Sequence, residues 1–285
     1  MCGSGTTNIE ASLMGINSYA IDLSPFCQLM TKVKYNSLKL NKESLYGLAN
    51  HYKELFSYFE KPNIIDRLSG IKDIEKHRLT ELSLLAYLDA LGYSMRVSSS
   101  NHLQLFQKVL KRYEVTVYEY ISRNSNGNNQ LGEMKILEKS TATEIDLKNS
   151  SIDGIITSPP YSFAIDYVEN DKEQLNYLRY DIKEIRNKMI GLKGKNKDKR
   201  LNNYFIDMDI VCSEAERVLK PSKYFVVIIG SNTNQTGGIR LENRIIESCK
   251  KHNLHLVKSI LKPIKGMRNT MKDEYILFFQ KENKT

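Results

Sequence analysis

The chain has 285 residues, 41% hydrophobic and 26% charged, and a formal net charge of +9. This accommodates one large α/β domain, or a domain with a substantial insertion, and excludes the compositions of disordered and collagen-like chains. There is no run of about 18 apolar residues to mark a membrane span and no charged-then-apolar leader. Cys2, Cys27, Cys212 and Cys249 are scattered without a C-x-x-C pair; this argues against a zinc site or a disulfide framework and predicts a cytoplasmic protein with no metal.

Residues 1–34 predict loop, helix, strand, loop and helix. Gly3 and Gly5 fall in a tight turn, a short helix runs from Thr7 to Met14, and "NSYAID" reads as a strand ending at Asp22. Pro25 opens the next helix, at a position where a missing N–H is tolerated. Residues 35–130 change character: "ESLYGLANHYKELFSYFE", "TELSLLAYLDAL" and "NHLQLFQKVLKRYEVTVYEYI" carry apolar residues at helical spacing. They predict a helical insertion between two parts, 1–34 and 131–285, of one domain. In the second part "EMKILEKS", "SIDGIITS", "YFVVIIG", "LHLVKSIL" and "EYILFFQK" read as strands. "IDMDIVCSEAERVLK" and "RLENRIIESCKKHN" read as helices, the first stopped by Pro221. Alternating β and α units predict an α/β fold with a mostly parallel sheet and helices on both faces. The basic stretch "KEIRNKMIGLKGKNKDKR", residues 183–200, reads as a surface loop suited to phosphates.

Two stretches carry chemistry. "CGSGTT" places glycines where backbone must approach a ligand closely and leads into a helix N-terminus, while Asp22 ends the next strand about 20 residues later, where a carboxylate can accept from ribose hydroxyls. The spacing is not G-x-G-x-x-G, which disfavours a nicotinamide dinucleotide. "TSPPY" follows a strand whose carboxyl end faces a ligand crevice. Pro159 and Pro160 lock the backbone there, so the Pro159 carbonyl and Ser158 hydroxyl present two acceptors and Tyr161 a flat ring. Such a set suits the exocyclic amino group of a base taken out of its helix.

"MCGSGTTNIEA", "IDL" and "IDGIITSPPYSFAIDY", with the tail "ERVLKPSKYFVVIIGSN" and "GMRNTMKDEYILFFQK", resemble the S-adenosylmethionine-dependent amino-group DNA methyltransferases. The resemblance implies a Rossmann-like sheet with an antiparallel last strand, and double-stranded DNA as substrate. Ser-Pro-Pro-Tyr is the form usual for cytosine N4, so Ser158 implies that target; adenine N6 is the nearest alternative, followed by an RNA base or a non-catalytic DNA-binding remnant. By the resemblance Cys2, Gly3, Ser4, Gly5 and Thr6 cradle the methionine part of the cofactor, and Asp22, with Leu23, holds the ribose. Ser158, Pro159, Pro160 and Tyr161 form the base pocket. Residues 35–130 are expected to help recognise the target, and Lys193, Lys195, Lys197, Lys199 and Arg200 to hold the DNA backbone. A cognate restriction enzyme is a further expected partner. "SPFCQ" superficially resembles the Pro-Cys nucleophile of cytosine-C5 enzymes, but its place after the second strand makes Cys27 a packed helix residue.

The sequence departs from the family pattern in three places. The family's first strand should lie just upstream of Cys2, so a truncated start or a split enzyme with a separate N-terminal half is expected. Thr141 stands where an acidic residue usually contacts the cofactor's adenine. "KPSK" replaces a Lys-Pro-Gly-Gly turn.

Overall fold

The glycine-rich turn feeds α1 (Thr6–Leu13), capped by Gly5 in the left-handed region at φ 80°. The computed structural model describes residues 1–96, 101–124, 130–161, 166–230, 236–263 and 273–283. After β1 (Ser18–Ala20), α2 (Pro25–Ser37) opens on its proline, and the Ser24 side chain accepts from the Cys27 amide. The next region is helical, as its spacing predicts: α3 (Lys42–Leu45), α4 (Tyr52–Phe59), α5 (Ile64–Ser69), α6 (Ile74–Arg96) and α7 (His102–Asn124). Their apolar faces close on Phe59, Leu84, Leu88, Phe106 and Leu110. The same core takes Phe26 and Val33 from α2, and Val168, Leu175 and Ile185 from α8 (Tyr167–Asn170), α9 (Lys172–Tyr177) and α10 (Ile182–Lys188). The helices of 35–130 therefore share one core with segments on either side of them.

β2 (Met134–Ile136) pairs in parallel with β1, Ser18 opposite Met134. A second sheet is built from β3 (Ile152–Thr157), β4 (Leu219–Gly230), β5 (Leu254–Pro263) and β6 (Asp273–Lys281), in the order β3-β4-β6-β5. β3 and β4 are parallel, and β6 runs antiparallel to both β4 and β5. The last strand is thus the reversed one, inserted beside a strand that precedes it by one helix. The architecture is α/β and Rossmann-like, with the ligand crevice expected beyond the carboxyl ends of β1 and β3.

α11 (Lys197–Val218) and α12 (Leu241–Lys251) cover one face of the larger sheet. Tyr204, Met208, Cys212, Ile245 and Cys249 pack there on Phe225, Val227, Leu277 and Phe279. The sulfurs of Cys212 and Cys249, both free thiols, lie 3.3 Å apart, a proximity that 37 residues of separation hid from the sequence. The opposite face aligns Ile156, Val226, Phe278 and Ile276 by strand register, and Ile156 is 54% exposed.

Two expectations need correction. The basic stretch 183–200 is not a loop: it comprises most of α10 and the first turn of α11, whose Asn196 cap accepts from the Lys199 amide at 2.9 Å. Pro221 does not stop the helix either; α11 ends at Val218, and Pro221 lies within β4 where the pairing register slips and Ser222 takes φ 61°. A bulge is where a strand tolerates a residue without an N–H.

Candidate active site

Just beyond the carboxyl ends of β1 and β3 lies a cavity of about 670 Å³, within the range of cofactor and ligand sites. Gly3, Asp22, Leu23, Thr141, Ser158 and Pro160, residues predicted from both motifs, line it together.

At one end, Asp22 organises the glycine turn. Its two carboxylate oxygens accept from the amides of Gly3, at 2.9 Å, and Ser24, at 3.0 Å. A carboxylate has about four lone-pair sites, so Asp22 keeps acceptor capacity toward the cavity. Gly3 adopts φ +53° and has nothing within 4 Å of where a Cβ would stand, leaving its backbone open to a ligand; a Cβ on Gly5 would stand 2.5 Å from the Thr31 hydroxyl. Cys2, Ser4, Gly5 and Thr6 shape the turn without lining the cavity. The Ser4 carbonyl accepts from Lys34 at 2.8 Å, and the Ser4 and Thr6 hydroxyls are 3.4 Å apart. Cys27 reaches the cavity wall, and burial, then the Asp22 charge, push its thiol well above the ordinary range, a poor setting for a nucleophile.

Thr141 sits in a turn that closes on itself by two backbone bonds with Glu144, of 3.0 and 3.2 Å. α11 anchors that turn. Glu214 accepts from the Ile145 amide at 2.8 Å, and Arg217 donates to the carbonyls of Ile145 and Leu147. The hydrogen bond from Arg217 holds the Glu214 carboxyl below its usual range. Lys139, Thr143 and Glu144 also line the cavity and were not found by sequence reasoning.

At the other end, Ser158 is exposed and Pro159 buried. Tyr161 is not a lining residue: its ring packs against the sheet core, and its hydroxyl donates to Glu274 of β6. Residues 162–165, which complete the quoted motif, lie outside the described residues, as do residues 264–272 of the tail. Tyr167, Asp171 and Lys188, from α8 to α10, add a further wall that no motif announced.

The basic residues divide. Lys195, Lys197 and Lys199 are exposed and Arg200 half-buried. Lys193, grouped with them from the sequence, is instead drawn inward, its ammonium 2.8 Å from buried Asp207 and its carbonyl accepting from Asn203 at 2.9 Å. Among the described residues no group of three or more His, Cys, Asp or Glu side chains can hold a metal, and no helix is long and apolar enough to cross a membrane.

Residues 152–285, which carry Ser158 and every strand of the larger sheet, match the family model described as DNA methylase, that of the N6 and N4 methyltransferases. The match supports a DNA amino-methyltransferase. Type II methyltransferase M.MvaI of Kocuria varians is 21% identical over 355 aligned residues, covering 95% of this chain and 78% of that protein. Type II methyltransferase M.BsoBI of Geobacillus stearothermophilus is 24% identical over 278 residues, 75% of this chain, and the chain spans about half of that relative, 54%. A solved DNA modification methylase of Thermus thermophilus, complexed with S-adenosyl-L-methionine, aligns over 50% of this chain and 51% of its own at 18% identity, with a TM-score of 0.30. At that score the likeness is local and bears on neither fold nor function. DNA amino-methyltransferases take their methyl group from S-adenosylmethionine, and the cavity suits it: Gly3 leaves backbone open and Asp22 keeps lone pairs for ribose hydroxyls.

Proposed function

We propose that this chain transfers a methyl group from S-adenosylmethionine to the N4 amino group of a cytosine turned out of double-stranded DNA. The observation that carries the reading is that Ser158 and Pro160 share one cavity with Gly3, Asp22, Leu23 and Thr141. Asp22, Leu23 and Thr141 would hold the nucleoside part of the cofactor, and the turn from Cys2 to Thr6 its methionine part. The bound cofactor supplies an electrophilic methyl carried on a sulfonium. The Ser158 hydroxyl and Pro159 carbonyl accept hydrogen bonds from the target amino group and orient its nitrogen, and Pro159 and Pro160 keep those acceptors fixed. Alignment of this kind accounts for much of the rate in a reaction without a covalent enzyme intermediate.

Site recognition falls to the helices of 35–130 and backbone contact to Lys195, Lys197, Lys199 and Arg200, with a restriction enzyme of the same specificity as a functional partner. We further infer a strand between β1 and β3, contributed by residues ahead of Met1 or by a second polypeptide. Three features support it: β1 and β3 are not paired with each other among the described residues, Met1 and Cys2 bond to Thr157 and Ile21 at their ends, and Ile156 is exposed.

Nucleoside mass spectrometry of DNA from a methylation-free host expressing the chain, with and without an upstream segment, tests both ideas. N4-methylcytosine is expected, and more of it with the segment. N6-methyladenine would reassign the target within the same family. No modified base in either case would overturn the reading.

A further inference from the structure

Ser158, Tyr161, Glu274 and Lys262 form a chain of hydrogen bonds from the cavity wall to the β5–β6 pair. The Tyr161 hydroxyl donates to one oxygen of Glu274, and Lys262 donates to the other at 3.0 Å. The Ser158 oxygen lies 3.3 Å from the same phenol oxygen. Burial alone would raise the Glu274 carboxyl, yet the bonds from Tyr161 and Lys262 hold it below its usual range, so it is charged at neutral pH.

A phenol has one proton to give. With that proton directed at the carboxylate, the Tyr161 oxygen is left as an acceptor, and the bond between the two hydroxyls runs from Ser158 to Tyr161. The Ser158 proton is then turned toward Tyr161, and its lone pairs face the cavity. Without the carboxylate, Tyr161 is free to donate to Ser158, and Ser158 to direct its own proton at a group that also brings protons.

We propose that Glu274 is a positioning residue for methyl transfer: acting through Tyr161, it fixes the Ser158 hydroxyl as a hydrogen-bond acceptor for the exocyclic amino group. This rests on the reading of the cavity as the target-base site. It goes beyond that reading by assigning to a residue on the reversed strand, 113 residues away from Tyr161, control over which partner the serine can bind. Amino groups of cytosine and adenine would gain equally, and a ring oxygen in the same place would be rejected.

The test is steady-state methylation of duplex DNA by the wild type and by Glu274→Gln, Tyr161→Phe and the double variant, each also carrying Ser158→Ala. Glu274→Gln and Tyr161→Phe should each lower kcat about tenfold with KM for DNA within about twofold, the double variant should lose no more than the worse single one, and both losses should vanish in the Ser158→Ala background. A residue that serves only the fold would cost the same with or without the serine hydroxyl, and that result, or wild-type kcat for Glu274→Gln, overturns the proposal. A second readout needs no turnover. With 13Cζ-labelled tyrosine, and the Tyr161 resonance assigned from Tyr161→Phe, both Glu274→Gln and Ser158→Ala should shift that resonance. A resonance unmoved by either change overturns the hydrogen-bond chain itself. Absence of any methylation by the wild type, with the resonance shifted as expected, would fault the reading of the cavity and leave the chain of bonds standing.

Discussion

The Thr157 hydroxyl donates to the Met1 carbonyl at 3.3 Å, joining the end of β3 to the start of the glycine-rich turn. One residue on, the Cys2 amide donates to the Ile21 carbonyl at 2.8 Å, beyond β1. The cofactor end and the base end of the cavity thus hang on one short piece of backbone. Thr157→Val keeps the shape and removes the donor. One hydrogen bond is worth about 0.5–1.5 kcal/mol net, so calorimetry should find S-adenosylmethionine bound roughly 2–10-fold more weakly, with the fold intact. Unchanged affinity would show that the two ends are held independently.

The two glycines of the turn should respond differently to alanine. At Gly5 the added methyl meets the Thr31 side chain at 2.5–2.8 Å and φ is +80°, so Gly5→Ala should destabilise by about 2–4 kcal/mol in urea unfolding. At Gly3 the space is open and only φ +53° resists, at about 1 kcal/mol. Gly3→Ala should instead act on the ligand, its methyl standing on the cavity wall and weakening cofactor binding at least tenfold. Equal stability losses at the two positions would contradict this geometry.

Glu214 couples pH to the turn that bears Thr141. Its carboxyl is depressed by the Arg217 hydrogen bond, so the stabilisation is fully present above the unfolded-state value of about 4.3 and is lost as pH falls through the lower folded value. Glu214→Gln should be less stable than wild type by about 1–2 kcal/mol at pH 7, with the gap closing at pH 3. A gap that is constant across this window would show that the carboxylate charge has no part in holding the turn.

The basic residues make a paired prediction. Neutralising Lys195, Lys197 and Lys199 should leave stability within about 0.5 kcal/mol and flatten the salt dependence of DNA binding, by a slope of roughly 0.9 for each phosphate no longer neutralised. Lys193→Ala should do the reverse, costing about 1–3 kcal/mol because Asp207 is left buried without its cation, with the salt slope unchanged. If Lys193→Ala alone flattens the slope, the inward placement of that side chain is wrong for the DNA-bound protein.

Local signals made much of this legible. A strand stopped by Ser158 and two prolines needs no tertiary information to be read as a rigid corner, and an acid ending the strand after a glycine turn is a pattern of spacing alone. The strands β3 to β6 were visible because they are apolar and bounded by turn residues. What stayed hidden depends on long-range pairing: Tyr161 with Glu274, Cys212 with Cys249, Lys193 with Asp207. The stretch 183–200 misled through its composition, since its lysines and two glycines mimic a solvated loop while Asp181 and Asn196, both side-chain caps, mark helix starts that the charge pattern obscured. The reach of the helical core into α2 and α8–α10 was beyond periodicity, which reports that a face is apolar and not what it meets.

The central claim is that the TSPPY corner presents acceptors to a cytosine amino group beside the cofactor. It is tested most directly by incubating the purified chain with S-adenosylmethionine labelled in its methyl group and duplex DNA, then separating the labelled nucleosides. The account predicts label in N4-methylcytosine alone, reduced at least tenfold in Ser158→Ala with cofactor affinity unchanged. Label at carbon 5 of cytosine, or transfer indifferent to Ser158, would contradict it.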